Sequence, residues 1–145
     1  MYSVTKDIYF CYGHRLLGHQ GKCRHLHGHN ARAAIRLESD RLDALGMVCD
    51  FKDIGDYVKS WLEREIDHTM LLHRDDPVLP VLQQSGERVT VMQHNPTAEN
   101  IARMIFDYVE QGGFPVTEVA IYETETAVAS YRKDVINAPG TLTSL

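Results

Sequence analysis

Two segments of alternating apolar and polar residues, the first ending and the second beginning at a histidine, constrain this chain more than any other feature. Residues 2–14 place apolar side chains at nearly every second position up to His14. Residues 27–38 repeat the pattern, and their apolar face leads back to His29 and His27. Alternate residues of a strand point to the same side of a sheet. The pattern therefore predicts two strands, joined as a hairpin with a long connection, whose inward faces carry three histidines.

Histidine is concentrated where these strands meet, because five of the chain's eight histidines fall within sixteen residues. Three neutral imidazoles around one ion, with a fourth position open, are typical of a catalytic zinc site. The alternative is three polar residues satisfied by hydrogen bonds at strand ends. Three on adjacent strands favour the metal, so we predict zinc ligands at His14, His27 and His29. The other two, His19 and His25, are expected to be solvated.

Cys23 lies four residues before His27, and spacing leaves its role open. Three interpretations are open. Cys23 could be a fourth ligand that closes a structural zinc site, or a thiolate that acts as base or nucleophile near the metal. The third interpretation is a loop cysteine without function. Cys11 and Cys49 are expected to be core residues because their surroundings are apolar and strand-like. Three cysteines without a CxxC pair favour free thiols in a reducing compartment, so a cytoplasmic location is expected.

The Asp67-His68 pair and Glu123 could contribute to an active site only if the fold places them near other functional residues. Asp67 and His68 are adjacent, and a carboxylate beside an imidazole orients it for proton transfer. Glu123 ends a strand on its apolar face, where a ligand with two parallel N–H groups would satisfy its carboxylate. Spacing alone favours the simpler interpretations, a surface loop pair for Asp67 and His68 and a solvent-facing strand end for Glu123.

The remaining elements are predicted from amphipathic spacing and turn residues. They are a helix around 54–62 capped by Asp50 or Asp53, a short strand at 88–92, a helix around 101–109 capped by Asn95 with Pro96 as its first residue, and a hairpin of 116–123 with 127–132. This order favours an α+β fold in which an antiparallel sheet carries two helices on one face. Its open edges predict a homo-oligomer that pairs them.

Composition excludes several classes of protein. Fifteen Lys and Arg against twenty Asp and Glu give a net charge of −5, which argues against nucleic acid as a partner. There is no apolar run of about 18 residues and no visible signal peptide, so no membrane association is expected. A length of 145 residues suits a single domain, predicted at 1–133 and followed by a short C-terminal tail at 134–145.

Together these motifs resemble the 6-pyruvoyl-tetrahydropterin synthase and 6-carboxy-tetrahydropterin synthase family. The matching segments span roughly residues 2–133 in the family's order: FCYGHRL, CRHLHGHN, GMVCDF, IDH, NPTAEN and YET. An HRL joined to CxxxHGH, a central DH and a late ET is highly specific in combination. The resemblance implies a tunnelling fold, in which a tetramer or hexamer joins its sheets into a barrel with active sites at subunit interfaces.

The family pattern also implies a role for each motif residue. Zinc would be bound by His14, His27 and His29. Cys23, Asp67 and His68 would form a catalytic triad, with Asp67 and His68 contributed by a neighbouring subunit. Glu123 would anchor the pterin through its 2-amino and ring N–H groups, and Thr97 would lie in the segment that lines the pterin pocket.

The implied activity is that of a zinc-dependent lyase acting on 7,8-dihydroneopterin triphosphate. The short chain with CxxxHGH resembles the bacterial members, which make 6-carboxy-5,6,7,8-tetrahydropterin with loss of acetaldehyde and triphosphate for queuosine biosynthesis. The first alternative is a 6-pyruvoyl-tetrahydropterin synthase of the tetrahydrobiopterin-type pathway, which keeps the side chain. The second, from another class, is a non-catalytic zinc module closed by Cys23. A zinc-hydroxide hydrolase leaves Cys23 and Glu123 without roles. Four basic residues are candidates for holding the triphosphate: Arg15, Lys22, Arg24 and Arg74.

The chain departs from the family pattern at two places. Tyr12 and Gly13 precede His14, where the family commonly has small Ala or Ser residues. The segment after Asp67-His68 reads TMLLHRDD, which adds His73 and Arg74. Both departures concern recognition of the substrate's side chain and leave the zinc ligands and the triad unchanged.

Overall fold

The two strands predicted from alternation form the long hairpin at the centre of the protein. In the computed structural model, which describes residues 1–134, β1 (Tyr2–His14) pairs antiparallel with β2 (His27–Ser39) along its whole length. His14 stands opposite His27 and Tyr12 opposite His29. The three imidazoles therefore share one face at the end of the hairpin. The predicted tail lies outside the described residues, except for its first residue.

The sheet continues on both sides of this hairpin. On the β2 side, β5 (Val116–Thr124) and β6 (Ala127–Arg132) add antiparallel strands, as predicted. On the β1 side, β3 (Thr69–His73) and β4 (Val89–Met92) pair in parallel, and the strand order is β4-β3-β1-β2-β5-β6. The sheet is thus mixed, not antiparallel throughout. The sequence gives no alternation for β3 because three of its five residues are buried.

Two long helices pack on one face of this sheet. α1 (Phe51–Glu65) begins after Asp50, whose carboxylate accepts a hydrogen bond from the backbone of Lys52, as predicted for an N-cap. A short α2 (Leu79–Gln84), not predicted from the sequence, precedes β4. None of the helices among the described residues is long and apolar enough to cross a membrane.

The last helix begins two residues later than predicted. The N-cap of α3 (Ala98–Gln111) is Thr97, whose hydroxyl accepts from the backbone N–H of Asn100 at 3.2 Å. The predicted cap, Asn95, bonds to the backbone of Leu17 instead. Pro96 consequently lies before the cap, where its carbonyl is free to accept a hydrogen bond from another element.

The inward faces of the strands and the apolar faces of α1 and α3 form one buried cluster. Its largest fully buried side chains are Phe106, Ile35, Leu37, Ile54, Leu62, Ile66, Leu71, Ile101, Ile105, Ile121 and Val58. The inward face of β1 continues this core through Phe10 and Tyr12 and ends at His14, which is 2% exposed. His14 therefore lies at the end of the core, where the sheet meets the segment before α3.

Candidate metal centre and active site

Three histidine side chains converge at the end of the central hairpin. One nitrogen from each of His14, His27 and His29 lies within 4.8 Å of the corresponding atoms of the other two. His14 is buried and the other two are partly exposed. The convergence agrees with the geometry predicted from strand alternation. His19 and His25 are exposed, also as predicted.

Backbone carbonyls fix the protons on two of these rings. Nδ1 of His14 lies 2.6 Å from the carbonyl oxygen of Pro96, and Nδ1 of His27 lies 2.7 Å from that of His25. A carbonyl only accepts, so each Nδ1 carries the hydrogen and each neutral ring presents the lone pair of Nε2. Burial lowers the pKa of His14 and of His29, which favours the neutral rings that a metal requires.

The donor set fits zinc. Among residues 1–134, the buried Nε2 atoms of His14 and His29 make no hydrogen bond, and three imidazole nitrogens on rigid strands are ligands that zinc prefers. Gly28 allows this spacing, because a Cβ at that position would lie 2.9 Å from the carbonyl oxygen of Tyr12 on the paired strand. A larger residue would push β2 away from β1 between the two histidines.

An ion pair between Arg15 and the buried Asp76 fixes the segment after β1. The guanidinium of Arg15 donates two hydrogen bonds to the carboxylate of Asp76, with 2.7 Å between Nε and Oδ2, and Asp76 is 2% exposed. The hydrogen bonds from Arg15 lower the pKa of Asp76. Arg15 was a candidate for holding triphosphate, and this pairing gives it a structural partner. Arg74 donates to Gln93.

Replacing Asp76 with asparagine is expected to reduce the free energy of unfolding by about 3 kcal/mol at neutral pH, because it leaves the charge of Arg15 without its buried partner. The folded pKa of Asp76 is lowered, so its contribution is present above the unfolded pKa of about 3.9 and is lost as the pH falls through the folded value. The difference between variant and wild type should shrink in acid. Denaturant titrations at several pH values measure it, with the exposed Asp75→Asn as control. An equal loss in both variants would contradict the prediction.

Glu123 is directed at the histidine cluster and not into solvent. Its Oε1 accepts a hydrogen bond of 3.0 Å from the hydroxyl of Tyr12. The same oxygen lies 3.5 Å from Nε2 of His14 and 3.4 Å from Nε2 of His29. Burial and the neighbouring Glu123 raise the pKa of Tyr12, so its hydroxyl stays protonated and donates. The solvent-facing interpretation that spacing favoured for Glu123 is therefore wrong.

Asp67 and His68 lie on the other face of β1, beside a cysteine. Nδ1 of His68 is 3.0 Å from Oδ2 of Asp67 and 3.4 Å from Sγ of Cys11. Asp67 also accepts from the backbone N–H of Cys11 at 2.9 Å. Cys11, expected as a core residue, is instead partly exposed and contacts His68, because β3 pairs with β1 directly after the Asp67-His68 turn. Sequence reasoning missed this contact.

His68 has an unusual backbone for a residue with a side chain. Its φ is +54° and its side chain is 75% exposed, while its N–H donates to the carbonyl oxygen of Cys11 at 2.9 Å. Such left-handed conformations are uncommon outside glycine, and they cluster at functional sites. The turn therefore presents an imidazole, oriented by Asp67, on the surface of the chain.

The other two predicted site residues, Cys23 and Thr97, belong to neither cluster. Cys23 sits in a 3-10 turn, Lys22–Arg24, and is partly buried. In the described part of the chain, two groups of side chains could hold a metal: the three histidines, and Cys11 with Asp67 and His68. Cys23 belongs to neither group. Its pairing with Asp67 and His68 of a neighbouring subunit stays a prediction. Thr97 caps α3, and its place in a pterin pocket stays a prediction as well.

A cleft of about 640 Å³ lies beside the Asp67-His68 turn. Residues around both clusters line it, among them Cys11, His27, His29, His68 and Arg88. Its volume lies within the range of about 300–1,000 Å³ that is usual for small-molecule sites. The cleft therefore offers a small ligand access to the side chain of His68.

Comparison with known proteins gives concordant matches. The family model described as 6-pyruvoyl tetrahydropterin synthase matches residues 3–134. A 6-carboxy-5,6,7,8-tetrahydropterin synthase of Rickettsia felis is 40% identical over 131 residues, which cover 86% of this chain and 95% of that protein.

Two solved structures share the fold. An uncharacterized protein of Wolinella succinogenes superposes with a TM-score of 0.76 at 24% identity, covering 92% of this chain and 98% of the other. The 6-pyruvoyl tetrahydropterin synthase of Caenorhabditis elegans superposes with a TM-score of 0.68 at 21% identity, covering 92% and 96%. The predicted tunnelling-type α+β fold is thereby confirmed.

Proposed function

Since the chain belongs to the 6-pyruvoyl tetrahydropterin synthase family, we propose that it is a zinc-dependent lyase that makes 6-carboxy-5,6,7,8-tetrahydropterin. Its substrate would be 7,8-dihydroneopterin triphosphate, and the other products acetaldehyde and triphosphate. The observation that carries the proposal is the convergence of His14, His27 and His29 beside Glu123 in a chain that is 40% identical to an enzyme of that name. Membership of an enzyme family removes the support for a non-catalytic zinc module.

The 6-carboxy product is favoured over the 6-pyruvoyl product by the degree of similarity. The relative that carries the 6-carboxy name is 40% identical, whereas the structurally similar 6-pyruvoyl tetrahydropterin synthase of Caenorhabditis elegans is 21% identical. We accordingly assign the reaction to queuosine biosynthesis. The three free cysteines support a reducing compartment, so we propose a cytoplasmic location.

His14, His27 and His29 would hold the zinc ion through imidazole nitrogens. When bound, zinc polarises the substrate's side-chain oxygens and favours removal of a carbon-bound proton. The carboxylate of Glu123 would accept two N–H groups of the pterin, because it has two oxygens and only one of them is bonded by Tyr12. The pterin ring and its side chain would thereby be fixed relative to each other.

Two side chains would move the protons. Cys23 as thiolate would take the carbon-bound proton at its Sγ. His68 would exchange protons through its Nε2, because Nδ1 is held by Asp67 at 3.0 Å. The exposure of His68 supports its use by a neighbouring subunit, since a side chain turned outward reaches a site across an interface.

The test supplies 7,8-dihydroneopterin triphosphate to the zinc-loaded protein and identifies the products by mass. We expect a 6-carboxy product together with one equivalent each of acetaldehyde and triphosphate. Triphosphate with a 6-pyruvoyl product and no acetaldehyde would assign the alternative activity within the family. Absence of any pterin product, together with absence of pterin binding, would contradict both.

A further inference from the structure

A cysteine, an aspartate and a histidine meet at the turn before β3, outside the histidine cluster. Sγ of Cys11 lies 3.4 Å from Nδ1 of His68, and Oδ2 of Asp67 lies 3.0 Å from the same nitrogen. The three ligand-type atoms all lie within 4.8 Å of one another. Zinc binds thiolate, imidazole and carboxylate groups with bonds of about 2.3, 2.0–2.1 and 2.0–2.2 Å. Atoms that lie this close together can therefore share one divalent ion.

One hydrogen on Nδ1 of His68 does not satisfy both of its neighbours. A ring nitrogen of neutral imidazole either carries a hydrogen or presents a lone pair. With the hydrogen it bonds to Asp67, and the thiol hydrogen of Cys11 then has no acceptor there. With the lone pair it accepts from the thiol and repels the carboxylate. A divalent ion in place of the thiol and imidazole hydrogens attracts all three groups at once.

The backbone holds these side chains in place by bonds of its own. The N–H of Cys11 donates to Oδ1 of Asp67 at 2.9 Å, which leaves Oδ2 directed at the imidazole. The carbonyl oxygen of Cys11 accepts from the N–H of His68 at 2.9 Å, so both bonds fasten the turn to one residue of β1. Burial opposes ionisation of Asp67, but its hydrogen bonds with Cys11 and His68 outweigh this and lower its pKa.

From this arrangement we propose that Cys11, Asp67 and His68 form a second binding site for a zinc-type divalent ion, separate from the three histidines. Sγ, Oδ2 and Nδ1 hold the ion, and the adjoining cleft leaves room for a water as its fourth ligand. The thiolate and the carboxylate balance the two charges of the ion, and the thiolate selects zinc over magnesium or calcium. Binding releases the thiol proton, and the Nδ1 hydrogen of the imidazole moves to Nε2.

An ion at this second site inhibits the proposed reaction. This consequence rests on the role proposed for His68, whereas the site itself does not. A neutral imidazole that binds a metal through Nδ1 carries its hydrogen on Nε2. It has no lone pair left to take up a proton, so His68 stops exchanging protons. Zinc at the three histidines therefore supports turnover, and zinc at the second site lowers it.

Co²⁺ tests the site because a thiolate bound to Co²⁺ gives a near-ultraviolet charge-transfer band that imidazole ligands do not give. Titration of the metal-free protein is expected to show two equivalents per chain, one of them with this band. Cys11→Ser should remove the band and weaken the second equivalent by at least about tenfold, since losing a ligand costs at least as much as losing a residue that orients one. Cys23→Ser and Cys49→Ser, which remove the other partly buried thiols, are matched controls that should keep the band.

Binding of one equivalent only, or a band that survives in Cys11→Ser, would overturn the proposal. A band that disappears in Cys23→Ser instead would assign the sulfur to the other thiol and overturn it as well. If Cys11→Ser does not fold, His68→Asn replaces it, because that side chain is 75% exposed. His68→Asn should weaken the second equivalent and leave the first unchanged.

Inhibition is measured as the loss of lyase turnover when bound zinc rises from one to two equivalents per chain. Cys11→Ser should need at least about tenfold more free zinc than wild type for the same fractional loss. Full turnover with both equivalents bound would overturn the inhibition. A protein that has no lyase activity but shows the Cys11-dependent band would contradict the proposed function and leave the second site in place.

Discussion

Replacing Cys23 with alanine is expected to lower kcat by about 10²–10⁴-fold while zinc content stays at the wild-type value. The loss corresponds to removal of a general base that takes a carbon-bound proton. Zinc is retained because the converging ligand atoms belong to three histidines, whereas Cys23 lies in the 3-10 turn outside that group. Product formation under saturating substrate and zinc per chain are measured on the same preparation.

Two controls define this result. Cys49→Ala removes a thiol that donates to the carbonyl of Asp50 before α1, and it should leave turnover and zinc unchanged. Cys23→Ser keeps a small polar group of much weaker acidity, so its activity should stay close to that of Cys23→Ala. Zinc lost together with Cys23 would mean that the thiol is a ligand, which would contradict the base assignment.

The histidine cluster could be predicted because its geometry is local. Strand alternation places His27 and His29 on one face, and a simple hairpin brings His14 opposite His27. The N-cap at Asp50 could be predicted for the same reason, since its hydrogen bond joins residues only two positions apart. These features depend on the period of a strand or on the first turn of a helix. They needed no knowledge of how distant segments meet.

The contacts that were missed join residues far apart in sequence. Tyr12 and Glu123 are separated by 111 positions, and Cys11 and His68 by 57. The second contact exists because β3 lies in parallel beside β1, and a short buried strand carries no alternation that would reveal it. Capping propensity predicted Asn95 as the N-cap of α3. The side chain of Asn95 instead forms hydrogen bonds with the backbone of Leu17, so it does not cap the helix.

Mixing two inactive variants is expected to restore activity if each site draws on two chains. Cys23→Ala lacks the base, and His68→Asn lacks the proton carrier while tolerating the left-handed backbone at that position. In a randomly co-assembled 1:1 mixture, an interface site has a one-half chance of an intact Cys23 and a one-half chance of an intact His68. About one quarter of wild-type turnover should therefore return. Co-expression of differently tagged chains, with mixed oligomers verified by native mass spectrometry, provides the sample.

The control replaces the His68→Asn chain with one that carries both substitutions, because this mixture offers no intact Cys23 in any arrangement and should remain inactive. Recovery near one quarter supports a site shared between subunits, to which the exposed His68 extends from its turn. No recovery in verified mixed oligomers would contradict it and would make His68 act within its own chain. The complementation thus decides whether the Cys23 and the His68 of one site come from the same chain or from two chains.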